Sequence, residues 1–202
     1  CAFWDQTGEH KISLRPVVAG VFIAVLTATG FYAMSYTAVY AQPHTGVRTS
    51  IWINSNVEKG SVILMEHWEE GLPDMGNYEV RRMPLYNDDS PGKAREIAND
   101  LARGDLLVFF SNRLYGTIPR IPERYPVTGE YYRLLFSGKL GYELVHAEAA
   151  HPNFAGISFV DDTFGRPGLP RPVGLKAYEE KGLTINLGFA DESFSVYDHP
   201  MG

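Results

Sequence analysis

One stretch limits what this chain can become: Pro16 to Tyr40, PVVAGVFIAVLTATGFYAMSYTAVY, which carries no charge. Arg15 is the last charge before it, and Arg48 is the next after it. About 20 apolar residues in a helix cross ~30 Å of hydrocarbon. A helix satisfies its own backbone N–H and C=O groups, so lipid can surround it. The stretch therefore predicts a transmembrane helix over residues 16–40. Gly20, Thr27, Thr29, Gly30 and Ser35 dilute it, and a buried core helix has a similar composition. Lys11 and Arg15 flank the amino end, so positive-inside logic puts residues 1–15 in the cytoplasm of a bacterial-type inner membrane. Residues 41–202 then form an extracytoplasmic domain. Tyr32, Tyr36 and Tyr40 recur every four residues and share one side of the helix. They suit an interfacial aromatic belt or a neighbouring protein helix. Ala19, Gly20, Ala24, Ala28 and Gly30 allow close helix approach, which points to other transmembrane subunits as partners besides lipid.

The chain has 202 residues, so about 160 remain outside the span and tail, enough for one ordinary domain. Net charge is −6, with no basic block, and a nucleic-acid partner needs a basic face. Cys1 is the single cysteine, which excludes an internal disulfide and a cysteine-based metal site. A chain beginning at Cys1 reads as a processed product or as part of a longer polypeptide. A lipidated Cys1 would lie outside the membrane, against the basic flank. The apolar run is too long for a cleaved signal peptide.

Beyond the span, Gln42-Pro43-His44-Thr45 breaks the helical pattern, and Thr45 can cap a helix over 46–56. SVILM (61–65) reads as a buried strand, and VRRMPLY (80–86) as a second, which Pro84 places at an edge or bulge. Asp89 or Ser90 caps the next helix, Pro91 takes its first turn, Ile97, Ala98 and Leu101 form its inner stripe, and Gly104 ends it. LLVFF (106–110) is another buried strand. A helix at 130–137 and an alternating strand at 142–149 follow. Strands are also expected at 183–187 and 193–197. Strand, loop, strand, helix, strand predicts a layered, mostly parallel α/β domain.

The candidate chemistry is sparse. Glu66-His67-Trp68-Glu69-Glu70 follows a buried strand, where open α/β sheets bind ligands. His67 there could act as a base oriented by Glu66 or Glu69. The alternative is a solvated loop with Trp68 packed on the domain. Asp161-Asp162 could hold a divalent cation or act on a sugar, or could form an Asx turn ending a strand. Arg113, after LLVFF, could pair with a phosphate or carboxylate, or be structural. Asp191, Glu192, Asp198 and His199 read as cap and turn chemistry. No dinucleotide fingerprint, Walker loop, nucleophile elbow or haem motif occurs, so no catalytic residue and no cofactor or metal is assigned.

Several stretches carry a resemblance: RTSIWINSN, GSVILMEHWEEGLP, SNRLYGTIPRIPERYP, YYRLLFSGKLGYELV and ADESFSVYDHP. Together they resemble the last transmembrane helix and extracytoplasmic carboxyl-terminal part of bacterial protein-mannosyltransferase-like enzymes (glycosyltransferase family 39). The resemblance implies many membrane spans, a polyprenyl-phosphate sugar donor, and catalytic acids in an early loop. Nothing in this chain corresponds to that loop, so no catalytic residue carries over. Two functional expectations follow. One is a non-catalytic single-span accessory subunit of a larger membrane complex, energy transduction included. The other is the terminal fragment of an intact glycosyltransferase.

Overall fold

The computed structural model describes residues 14–67, 71–165 and 167–188. Helix α1 (Leu14–Tyr40) forms as the uncharged stretch demands. Every residue from Leu14 to Gly30 is exposed on all sides of it, and a Cβ at Gly20 or Gly30 would meet nothing within 4 Å. Among the described residues it is the helix long and apolar enough to cross a membrane. Its last turns differ: Ser35 and Val39 are buried. Tyr32 meets Phe159 of its own chain edge-on at 5.0 Å. Tyr36 and Tyr40 continue the ring ladder along the helix.

Helix α2 (Thr45–Asn56) starts one residue earlier than expected, because His44 rather than Thr45 caps it: the Gly46 N–H donates to His44 Nδ1 at 3.1 Å. Thr45 is buried instead. Strands β1 (Val62–Glu66), β2 (Glu79–Met83) and β3 (Leu106–Val108) form one sheet, ordered β2-β1-β3 and parallel throughout. β2 stops before Pro84, which lacks the N–H a ladder needs. β3 stops at Val108, paired with Met65, and leaves Phe109 and Phe110 outside the ladder.

The period of two in β1 splits the core. Ile63 and Met65 face α2 with Ile53, Val108, Phe110, Leu72 and Tyr78. Leu64 faces the other side, with Met83, Leu85 and Ile97 of α3 (Pro91–Leu101) and Tyr131, Tyr132, Leu135 and Phe136 of α4 (Pro126–Phe136). This is the layered α/β arrangement expected. Ser90 caps α3, accepting from the Lys93 N–H at 3.1 Å.

A second, mixed sheet follows. β4 (Asn153–Phe154) pairs antiparallel with β5 (Ile157–Val160), and β6 (Leu183–Asn186) pairs parallel with β5. Ala155 (φ 52°) and Gly156 (φ 80°) make the tight β4–β5 turn. Residues 142–149, expected as a strand, join no ladder. Side chains hold them instead, as described below. The strand expected at 193–197 lies outside the described residues.

Candidate functional site

The end of β1 places Glu66 and His67 on opposite faces. Glu66 is fully buried on the α4 side, where the Tyr132 hydroxyl donates to its carboxylate. Tyr131 beside it is pushed well above the usual phenol range, first by burial and then by the Glu66 charge and Tyr142. His67 turns away: its Nδ1 and backbone N–H both lie at hydrogen-bond distance from the Met83 carbonyl, at 3.0 and 3.1 Å. Since that oxygen can only accept, the Nδ1 carries the proton and donates. Burial lowers the His67 pKa, Lys93 and Arg82 add to this, and the Met83 bond opposes it. His67 is therefore neutral at pH 7. The β2 backbone orients it, not Glu66. Trp68, Glu69 and Glu70 lie outside the described residues, as do Asp191, Glu192, Asp198 and His199.

Arg113 sits in the turn after β3, where its N–H donates to Ser111 Oγ at 3.1 Å. That turn closes on Gly116, whose N–H donates to the Asn112 carbonyl at 2.7 Å; a Cβ there would strike that same oxygen at 2.5 Å.

Asp162 forms the Asx turn: its Oδ1 accepts from the N–H of Phe164 (3.2 Å) and Gly165 (3.0 Å) and from Arg171 (3.2 Å). Burial alone would raise its pKa, but the Gly165 and Phe164 N–H groups and Arg171 outweigh it and hold the carboxyl below the usual value. Arg171 also bridges Glu179 at 2.8 Å. Asp161 is different. Both of its carboxylate oxygens are buried without a hydrogen-bond partner.

Asp161 belongs to the wall of a cleft of about 1410 Å³ between the two sheets. Phe109, Tyr115, Phe136 and Phe164 line it on one side, and residues 141–149 line the other. Glu66, His67, Arg113 and Asp162 do not line it. Sequence reasoning missed what holds its outer wall. Trp52 of α2 stacks on His146 at 4.5 Å, nearly parallel. His146 Nε2 lies 3.1 Å from Glu148, and Glu148 pairs with Arg48 at 3.0 Å. Arg48 also donates to the Ala149 carbonyl (2.9 Å) and to Gln42 (2.8 Å). Tyr178 donates to the Val145 carbonyl at 2.8 Å. Only the alternation of residues 142–149 hinted at this wall, and its partners Arg48 and Trp52 lie about a hundred positions away in the chain, Tyr178 33 positions.

Asp89, expected as a cap, is the centre of a buried ion pair. Asp89 accepts from Lys93 Nζ (2.8 Å), Thr128 Oγ1 (2.7 Å) and the N–H groups of Val127 (2.6 Å) and Thr128 (3.1 Å). Lys93, buried, also donates to the carbonyls of Leu85 (2.8 Å) and Asn87 (2.5 Å). The pair ties α3 to the start of α4. It is fully occupied by the protein and has no role open to a ligand.

Among the described residues, no group of three or more His, Cys, Asp or Glu side chains is placed to hold a metal ion. No protein-family model, curated protein or solved structure matches this chain.

Proposed function

We propose that this chain is a single-span membrane module. In this reading residues 1–15 lie in the cytoplasm, α1 crosses a bacterial inner membrane, and residues 41–202 form an outer domain. It serves a larger membrane complex as an accessory subunit and performs no reaction by itself. The observation that carries the reading is α1, bare from Leu14 to Gly30 and uncharged beyond Arg15. The small residues on that bare surface suit a second transmembrane protein as well as lipid. Glu66, His67 and Asp162 support the non-catalytic part. Each is held by a separate set of protein groups, and they do not converge on one reacting position.

A photo-activatable residue at Val21, introduced into the full chain in its own membranes, tests this. The expected product is a discrete adduct with an integral membrane protein. Lipid adducts alone would reject the accessory role. A second reading, the outer module of a polyprenyl-phosphate-sugar-dependent glycosyltransferase, is favoured by the cleft. Its aromatic walls and the spare Asp161 acceptors suit a hydroxylated ligand. Titration of the full chain with a polyprenyl-phosphate hexose tests it, and absence of binding rejects it.

A further inference from the structure

We infer that the β4–β5 hairpin is a second membrane contact, seated at the boundary between lipid headgroups and acyl chains. The inference rests on the reading of α1 as a membrane span. At ~1.5 Å per residue the bare stretch Leu14–Gly30 is about 25 Å long. The hydrocarbon core is about 30 Å thick, and ~20 residues counted from Arg15 reach Ser35. The bilayer therefore has to cover the helix past the point where the protein's own domain first touches it.

That first contact is the hairpin. Phe31 meets Phe154 edge-on at 5.4 Å and Phe159 at 6.1 Å. Phe31 lies one helical turn short of Ser35, about 6 Å deeper along the axis. The hairpin tip is held at that depth, whichever end of α1 faces the cytoplasm. Its composition agrees with the placement. Residues 152–160, PNFAGISFV, carry no charge. Phe154 is 39% exposed although it already packs on Phe31, and Ala155 and Gly156 at the turn are exposed. Leu183 of β6, in register with Ile157 near the tip, is 62% exposed. The antiparallel pairing at Asn153–Ser158 and Phe154–Ile157 satisfies backbone groups that lipid could not. A Cβ at Gly182 would lie 3.3 Å from the Gly156 carbonyl, so Glu180 and Lys181, which precede Gly182, enter the sheet beside the tip and hold it at headgroup level rather than deeper.

Bound lipid is the occupant because this apolar patch is continuous with the bare surface of α1. The hairpin extends the anchor sideways, from one helix to a helix with a foot. It fixes how the outer domain leans on the membrane.

The test uses the full chain in phosphatidylcholine vesicles, with Cys1→Ser and one new cysteine carrying an environment-sensitive fluorophore. The sites are Val25→Cys in the span, Ala155→Cys at the tip, Leu183→Cys beside it, and Glu96→Cys on the exposed face of α3. Acyl-brominated lipid is the quencher. Quenching at Val25, Ala155 and Leu183 is expected to exceed that at Glu96 by at least about twofold, as a depth of ~5–10 Å requires. Quenching at Val25 with neither tip site above Glu96 overturns the foot and leaves the span intact. No quenching at Val25 overturns the span itself, and the foot with it. Leu183→Cys keeps the test decisive if labelling disturbs the turn at Ala155.

Discussion

Replacing Asp89 by Ala is the sharpest test of how the α/β domain is held. Asp89 and Lys93 side chains are 6% and 4% exposed, so the substitution strands a buried ammonium. Breaking one partner of such a pair costs about 3–5 kcal/mol. The same carboxylate caps the first turn of α4 through Val127 and Thr128, and loss of a cap costs about 1 kcal/mol. The two losses share one side chain, so we expect a total near 4 kcal/mol. Lys93→Met should relieve part of it, with a coupling of about 2 kcal/mol in the double-mutant cycle. Pulse proteolysis in urea, on the full chain in mild detergent, measures each variant. The pH dependence follows from the same contacts. Burial alone would raise the Asp89 pKa, but Lys93, Thr128 and the Val127 N–H outweigh it and hold it below the usual carboxylate value. Its folded pKa is lower than its unfolded one. The contribution is thus present above about pH 4 and lost as pH falls through the folded value. A loss under about 1 kcal/mol for Asp89→Ala, or additivity with Lys93→Met within ~0.5 kcal/mol, would refute the argument.

Four further outcomes are expected. Gly104→Ala sets a Cβ into the side chain of fully buried Leu64 and should cost about 1–3 kcal/mol, read in the same urea assay. Asp161→Asn keeps the side chain's shape at a position where neither carboxylate oxygen has a hydrogen-bond partner, so the domain should lose no stability; a loss in the urea assay would mean that the carboxylate has a partner in the folded chain. His67 has a folded pKa below 6.5, so the unfolded chain takes up its proton first and stability falls as pH drops through that window. His67→Gln should flatten the fall in stability as pH drops below the ordinary imidazole value of 6.5. Trp52→Ala unstacks His146, so limited proteolysis within residues 142–149 should become faster than in the parent chain.

Local chemistry made much of this fold legible. An uncharged run forms α1, Ser90-Pro91 starts α3, and VILM makes the central strand. Misses arose where distant residues supply what the neighbouring sequence lacks. Tyr125-Pro126 offers no side-chain cap, so α4 looked as though it began at Glu130. Its cap comes from Asp89, 38 positions upstream. Residues 142–149 alternate as a strand does, yet Trp52, Arg48 and Tyr178 hold them through side chains, and no sheet edge receives them. Among the candidates, the Asx turn at Asp162 was readable from the sequence because its partners, Phe164 and Gly165, are close by. The isolation of Asp161 was not, since burial at that position depends on the whole second sheet.

Arg48 has a mechanical consequence. Its two terminal nitrogens grip Gln42, at the exit of α1, and Ala149 with Glu148, on the outer wall of the cleft. One guanidinium thus couples the exit of α1 to the mouth of the cavity. A tilt of α1 would pull on Gln42 and reach the outer wall through Arg48, besides what it passes to the second sheet through Phe31 and Tyr32.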